Sequence, residues 1–64
     1  RNAPITIGEG AWVGAQAFVA PGVTVGREAI ISAGSVLLKN ADPERIYSGN
    51  PAVATGWRWR KDIS

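Results

Sequence analysis

Aliphatic residues recur along this chain at every sixth position over residues 7–36. Cut at Ile7, the segment reads IGEGAW, VGAQAF, VAPGVT, VGREAI and ISAGSV. The first residue of each hexad is β-branched, the second is small, and the fifth is small or β-branched. Self-similarity at a short, fixed period is the signature of a repeat architecture. The pattern therefore predicts five consecutive six-residue repeats.

The period and the residue sizes favour a solenoid of short strands. One obligatory aliphatic in six residues suits a short strand followed by a tight turn, with three such sides closing one coil. Adjacent coils are separated by the β-sheet spacing of about 4.8 Å, so equivalent aliphatics stack inside. The expected stacks are Ile7 under Val25, Val13 under Ile31, and Val19 under Leu37. We attribute the small second residue to the turn, where glycine tolerates φ > 0, and the small fifth residue to a narrow interior.

Two other interpretations of the segment fail. An amphipathic helix would be destabilised by each of the six glycines over residues 8–34 and by Pro21. Ordinary hairpin strands would show alternation of period two, which here does not extend beyond a few residues. The sequence therefore predicts an all-β parallel β-helix of about two to two and a half coils.

The repeat ends after residue 36, and a capping segment is expected there. KNADPER reads as a polar turn ahead of a short apolar segment at residues 46–47, and residues 48–51 read as a second turn. Residues 52–64 are expected to form either a short helix or an extended tail over the open end of the solenoid. We place the coils at residues 1–42 and the capping segment at residues 43–64.

Composition narrows the chemistry. The 64 residues include no cysteine and no histidine, so no disulfide and no Cys/His zinc site is expected. No apolar run approaches the roughly 20 residues that span a bilayer, and no signal peptide is recognised. Since methionine is absent and the chain starts at Arg1, we expect a fragment of a longer protein. The absence of cysteine is compatible with a reducing compartment, and a cytoplasmic location is expected. The net charge of +2 comes mostly from the C-terminal tail.

Several segments resemble a known family. They are WVG at residues 12–14, PGVTVG at 21–26, GSV at 34–36 with Lys39 following, and GNPA at 49–52. Over residues 3–54 the chain resembles the C-terminal part of hexapeptide-repeat O-acetyltransferases. The colanic-acid-type, maltose/galactoside and nodulation-type enzymes are the most similar.

The resemblance implies a left-handed β-helix, an exception to the right-handed crossover preference. It also implies a homotrimer with acetyl-CoA between neighbouring subunits, and transfer of the acetyl group to a hydroxyl of a sugar or other small molecule. No contact with nucleic acid and no membrane insertion are expected. The family uses a histidine as general base on the acceptor hydroxyl. Since this chain has none, that histidine is expected upstream.

The resemblance also assigns residues to the cofactor site. Gly14 and Ala15 would face the pantetheine arm and thioester, although Gly14 can equally serve its own turn. Ala33 would be the next rung along the arm. Leu38 and Lys39 stand where many relatives have a Thr-Lys pair at the phosphate end of CoA. Lys39 matches the pair, whereas Leu38 replaces the threonine and cannot make its hydroxyl contact. An ordinary exposed lysine is the alternative for Lys39.

The remaining assignments concern the adenine end and the tail. Asn50, Pro51 and Ala52 resemble the turn beside the adenine ring. Relatives usually place a Lys or Arg directly after this turn, where this chain has Val53 and Ala54. Since neither residue is charged, Arg58 or Arg60 is expected to supply the charge. The arginines lie in the cluster WRWRK at residues 57–61, whose tryptophans we expect to pack on the β-helix.

Trp12 and Phe18 occupy the sixth position, which points outward. Outward apolar bulk suggests an interface, either the trimer contact or the groove wall. Surface aromatics lying under the returning tail are the alternative.

Two further functions share this fold. One is a noncatalytic β-helix that scaffolds an assembly. The other is a protein like the γ-class carbonic anhydrases, whose zinc-binding histidines are missing here. The turn at residues 49–52, together with Lys39, favours the acetyltransferase over the scaffold.

Overall fold

The protein forms an open stack of short strands. A computed structural model describes residues 3–59, which contain eight strands and no helix. The strands are β1 (Thr6–Ile7), β2 (Trp12–Val13), β3 (Phe18–Val19), β4 (Thr24–Val25), β5 (Ile30–Ile31), β6 (Val36–Leu37), β7 (Arg45–Gly49) and β8 (Ala52–Trp57). Three of them make one coil, so β1–β3 form the first coil and β4–β6 form the second.

The register of the coils is the one predicted from the repeat. β1 pairs with β4, β2 with β5 and β3 with β6, all in parallel. The paired residues include Ile7 with Val25, Val13 with Ile31, and Val19 with Leu37. The predicted stacks are therefore confirmed, and so is the all-β parallel β-helix.

The interior is built from the first and fifth positions of the hexads. Val25 and Ile31 are 0% exposed and Leu37 is 1% exposed. Ala29 and Ser35, at fifth positions, are also buried. Ile7 occupies the equivalent position in the first coil but is 48% exposed, because no described residue stacks on its lower side. Burial of these side chains therefore depends on a coil above and a coil below.

The turns correct one part of the sequence argument. We expected positive φ at the second hexad position, but the structure places it at the fourth, as at Gly10 (φ 73°) and Gln16 (φ 60°). In each turn the N–H of the fifth residue donates to the carbonyl of the second, as Ala17 does to Gly14 at 3.2 Å. A positive φ at the third of four residues is the type II arrangement.

The second position is small for a different reason, which is the close approach of the next coil. A Cβ built on Gly8 would lie 2.5 Å from the backbone nitrogen of Arg27. A Cβ on Gly14 would lie at the same distance from the nitrogen of Ala33. Because the obstructing atoms are backbone, a side chain cannot be accommodated without moving the coils apart.

The third coil is shorter than the first two. Ala41 forms a parallel bridge with Val25, and Tyr47 pairs with Ile31. Tyr47 follows Ile31 by 16 residues, whereas Ile31 follows Val13 by 18, so the third coil is two residues shorter. Part of the segment expected to be only a polar turn therefore belongs to a further hexad, residues 41–46, which follows a sixth hexad shortened to residues 37–40. The shortened corner is held by Asn40, whose Oδ1 accepts the backbone N–H of Thr24 at 2.8 Å.

A β-hairpin covers the upper end of the solenoid. β7 continues the sheet on β5 in parallel, and β8 returns antiparallel to β7. Tyr47 is buried above Ile31, and its hydroxyl accepts the N–H of Asp42 at 2.9 Å. The guanidinium of Arg45 stacks 4.2 Å over the ring of Trp57, within the hairpin. Trp57 and Trp59 are 45% and 51% exposed, and their expected packing on the coils stays a prediction. Of the two conformations expected after residue 51, the extended one is observed over β8.

The boundary between coils and cap at residues 42 and 43 stays a prediction. Parallel pairing in this structure continues past it through β7.

Candidate functional site

Two stacked turns form a corner whose exposed side chains are all small or polar. We call residues 14–17 and 32–35 the alanine corner. The N–H of Gly14 donates to the carbonyl of Ile31 at 2.7 Å, and the N–H of Gly34 donates to the carbonyl of Ala15 at 2.9 Å. Ala15 and Ala33 are both exposed, at successive levels of this corner. Methyl side chains leave the adjacent backbone accessible to an extended ligand.

The turn of the β7–β8 hairpin adds a third level to the alanine corner. The hydroxyls of Ser48 and Ser32 are 2.6 Å apart. The N–H of Gly49 donates to Oγ of Ser35 at 3.2 Å. Asn50 follows Gly49 directly, so these bonds place Asn50 above the corner. The structure therefore brings Gly14, Ala15, Ala33 and Asn50, four of the predicted site residues, to one column.

A pocket of about 230 Å³ lies where this hairpin turn meets the end of β6. Its lining residues are Leu38, Lys39, Pro51, Ala52 and Val53. Three of them are predicted site residues, namely Leu38, Lys39 and Pro51. Leu38 and Lys39 are adjacent, and Pro51 lies 12 positions further along the chain. The structure brings them together because the shortened third coil leaves the top of β6 uncovered beside the hairpin.

The pocket combines apolar walls with a single cationic side chain. Lys39 is exposed and has no ion-pair partner within the described residues 3–59. Ligand sites in proteins are typically apolar with a few polar groups that set orientation. A free ammonium is a point charge suited to a phosphate. The pocket therefore suits a ligand that has an apolar part and an anionic part.

Arg58 lies at a different corner. Its Nη1 donates to the carbonyl of Gly10 at 2.7 Å and to that of Glu28 at 3.3 Å, and it forms an ion pair with the Glu28 carboxylate at 3.3 Å. Since its guanidinium is engaged there, the structure does not bring Arg58 to the pocket. Its contact with a phosphate stays a prediction, and Arg60 lies outside the described residues.

Two walls of the pocket were missed from the sequence. Ala52 had been assigned to the turn resembling the one beside the adenine ring, but not to the cofactor site, and Val53 had been noted only because no cation stands there. The sequence did not indicate where β8 would lie relative to β6. The first two residues of β8 line the pocket only because Gly49 pairs with Ala52 across a tight hairpin.

The outward aromatics are where the hexad pattern predicted them. Trp12 is 57% exposed and Phe18 is 51% exposed, on the outer faces of β2 and β3. Each is paired with an outward aliphatic of the second coil, Ile30 and Val36 respectively. The expected interface role of these residues stays a prediction.

Residues 3–59 contain no group of three or more His, Cys, Asp or Glu side chains placed to hold a metal ion. The same residues contain no helix long and apolar enough to cross a membrane.

Comparison with known proteins identifies the repeat. A family model described as bacterial transferase hexapeptide (six repeats) matches residues 4–39. The galactoside O-acetyltransferase of Escherichia coli K12 is 42% identical over 48 residues, which is 75% of this chain and 24% of that protein. The chain thus spans about a quarter of the length of the curated relatives it matches.

Solved structures agree with this assignment. A galactoside acetyltransferase in complex with coenzyme A superimposes with a TM-score of 0.86 at 35% identity, covering 94% of this chain and 30% of the other. The Caulobacter crescentus protein PerB, in complex with CoA and GDP-perosamine, gives a TM-score of 0.81 at 35% identity, covering 84% and 26%. The fold is the left-handed parallel β-helix of these acetyltransferases. The chain belongs to the bacterial transferase hexapeptide family.

Proposed function

We propose that this chain forms part of the CoA groove of an acyltransferase. The enzyme would transfer an acetyl group from acetyl-CoA to a hydroxyl of a sugar or other small molecule. The observation that carries the proposal is the pocket lined by Lys39 and Pro51. The hairpin turn that carries Pro51 is bonded to the alanine corner through Gly49 and Ser35. Support comes from relatives of the same fold that were solved with CoA.

The groove residues fit the parts of CoA. The pocket walls formed by Leu38, Pro51 and Val53 would contact the adenine, and the Lys39 ammonium would pair with a phosphate. The column that runs down through Ala33 to Ala15 would receive the pantetheine arm, because its methyl groups permit close approach to backbone. This chain's own contribution is therefore binding and orientation, which lower the entropic cost of bringing thioester and acceptor together.

Proton removal from the acceptor hydroxyl needs another group. A hydroxyl is a weak nucleophile unless a base takes its proton as the new bond forms. No histidine is present among the 64 residues. The proposal therefore requires that the complete protein places a base at the groove, and its full sequence tests that requirement.

A sugar acceptor and a homotrimer are part of the proposal. PerB was solved with the nucleotide sugar GDP-perosamine beside CoA, which supports a sugar acceptor. The outward Trp12 and Phe18 support a contact between subunits. A monomer in light scattering of the complete protein would contradict the trimer. A cytoplasmic location is proposed together with the reaction.

Calorimetric titration with CoA tests the binding function. The complete protein is expected to bind, and Lys39→Met is expected to weaken binding about tenfold, since a charge-assisted contact contributes about 1.5 kcal/mol. The weakening should shrink at high salt. Arg27→Met, which removes an exposed cation away from the pocket, is the matched control and should bind as the wild type does. No binding at millimolar CoA would refute the proposal and favour the noncatalytic scaffold.

A further inference from the structure

One arginine connects all three coil levels at a single corner. We call residues 8–11, 26–29 and 42–45 the glutamate corner. The guanidinium of Arg58 donates to the carbonyl of Gly10 in the first coil at 2.7 Å, and it pairs with the Glu28 carboxylate in the second at 3.3 Å. The backbone N–H of Arg58 donates to the carbonyl of Glu44 in the third at 2.8 Å.

The local geometry places the Glu28 carboxylate beside this arginine. Glu28 adopts φ 60°, the left-handed conformation found at the fourth position of each of the five hexads. A Cβ on Gly10 would overlap the carboxyl group of Glu28, so the absence of a side chain at Gly10 leaves room for that carboxylate. The side chains of Arg58 and Glu28 are only 26% and 35% exposed. An ion pair shielded to this degree is less screened by water and salt than one on an open surface.

β8 links the glutamate corner to the pocket. Its first two residues, Ala52 and Val53, line the pocket, and Arg58 follows its last residue. β8 is an edge strand, paired only with β7 among the described residues. The contacts of Arg58 are therefore what ties the far end of this strand to the lower coils.

We propose that Arg58 and Glu28 form a positioning pair that holds β8, and with it the pocket wall at Ala52 and Val53, against the coils. This inference rests on the proposed CoA groove. It gives Arg58 a role different from the direct phosphate contact expected from the sequence. If Arg58 contacts CoA directly, the affinity should depend on the ligand's phosphates and not on Glu28. If Arg58 positions β8, the affinity should depend on Glu28 and not on the phosphates.

CoA and 3′-dephospho-CoA are titrated into the complete protein and its variants. Arg58→Gln and Glu28→Gln are each expected to weaken binding about fivefold. The double variant should be no weaker than Arg58→Gln, because Arg58→Gln already removes the ion pair that Glu28→Gln breaks. The loss should be equal for the two ligands, since the pair touches no phosphate. Arg27→Gln, which breaks the ion pair with Glu44 at the same corner, is the control and should stay within twofold of the wild type.

Hydrogen exchange gives a readout that does not depend on CoA. In Glu28→Gln the amide proton of Arg58 is expected to exchange at least tenfold faster, while the amide of Gly14, inside the coils, keeps its wild-type rate. Faster exchange at both amides would show general destabilisation and would overturn the inference. The Arg27→Gln control should leave the Arg58 amide unchanged.

Two binding results would also overturn the inference. One is a loss in Arg58→Gln that is much larger for CoA than for 3′-dephospho-CoA, with Glu28→Gln binding normally, since that identifies a direct phosphate contact. The other is normal binding by both single variants. If the wild type does not bind CoA, the proposed function fails, and the exchange experiment alone decides whether the pair holds β8.

Discussion

Replacing Gly14 by alanine tests why the second hexad position is small. The new Cβ would lie 2.5 Å from the nitrogen of Ala33, 2.8 Å from its Cα, and 3.0 Å from the carbonyl carbon of Ser32. All three are backbone atoms, so no side-chain rotation relieves the contact. The two coils must separate at this corner. Gly34, one coil higher, is the matched control. It has φ 73°, but a Cβ there would meet nothing within 4 Å.

The magnitude follows from these contacts. Overpacking costs about 1–3 kcal/mol. Separating the coils also weakens the hydrogen bonds from Gly14 to Ile31 and from Gly34 to Ala15, each of which contributes about 1 kcal/mol. We therefore expect Gly14→Ala to lower the free energy of unfolding by about 3 kcal/mol. Gly34→Ala meets only the left-handed backbone penalty of about 1 kcal/mol. Both variants restrict the unfolded chain equally, so that effect cancels in the difference.

Urea unfolding of the complete protein, without CoA, measures both variants. The expected order is Gly14→Ala less stable than Gly34→Ala by about 2 kcal/mol, with similar dependence on urea. If positive φ were the dominant reason for glycine in these repeats, Gly34→Ala would be the more damaging change. Equal or reversed stabilities would therefore refute the explanation from coil spacing.

Two further predictions concern stability. Ile31→Ala should lower the free energy of unfolding by about 2–5 kcal/mol in the same urea assay, because the side chain is fully buried. A cost below about 1 kcal/mol would contradict the stacked interior. Gln16→Gly should raise stability by about 0.5 kcal/mol, because it removes a left-handed penalty at φ 60°. Glu28→Gly, at the same φ, should not raise the midpoint temperature of thermal denaturation, because it also loses the ion pair with Arg58. An increase as large as that of Gln16→Gly would show that the ion pair does not contribute to stability.

The coils could be predicted from the sequence because each hexad repeats the same physical problem. An aliphatic at the first hexad position, such as Val25, can be buried only inside the three-sided coil. Its stacking partner lies three hexads away, which follows from the period alone. The outward position of Trp12 follows in the same way. These features depend on residue size and spacing, both of which the sequence displays directly.

The end of the solenoid could not be predicted in the same way. The six-residue spacing does not indicate that the Asn40 side chain accepts the N–H of Thr24 in place of a backbone carbonyl, at a corner where the third coil is two residues shorter. That shift decides which residues face the uncovered end of β6, and so it produces the pocket. The position of Arg58 is equally non-local, since its partner Gly10 is 48 residues away along the chain.

The most direct test of the account is a crystal structure of the complete protein with CoA. We predict that the adenine and its phosphates occupy the pocket lined by Leu38, Lys39 and Pro51, with the pantetheine arm running along Ala33 and Ala15. CoA bound at any other surface of these coils, with this pocket left unfilled, would contradict the account.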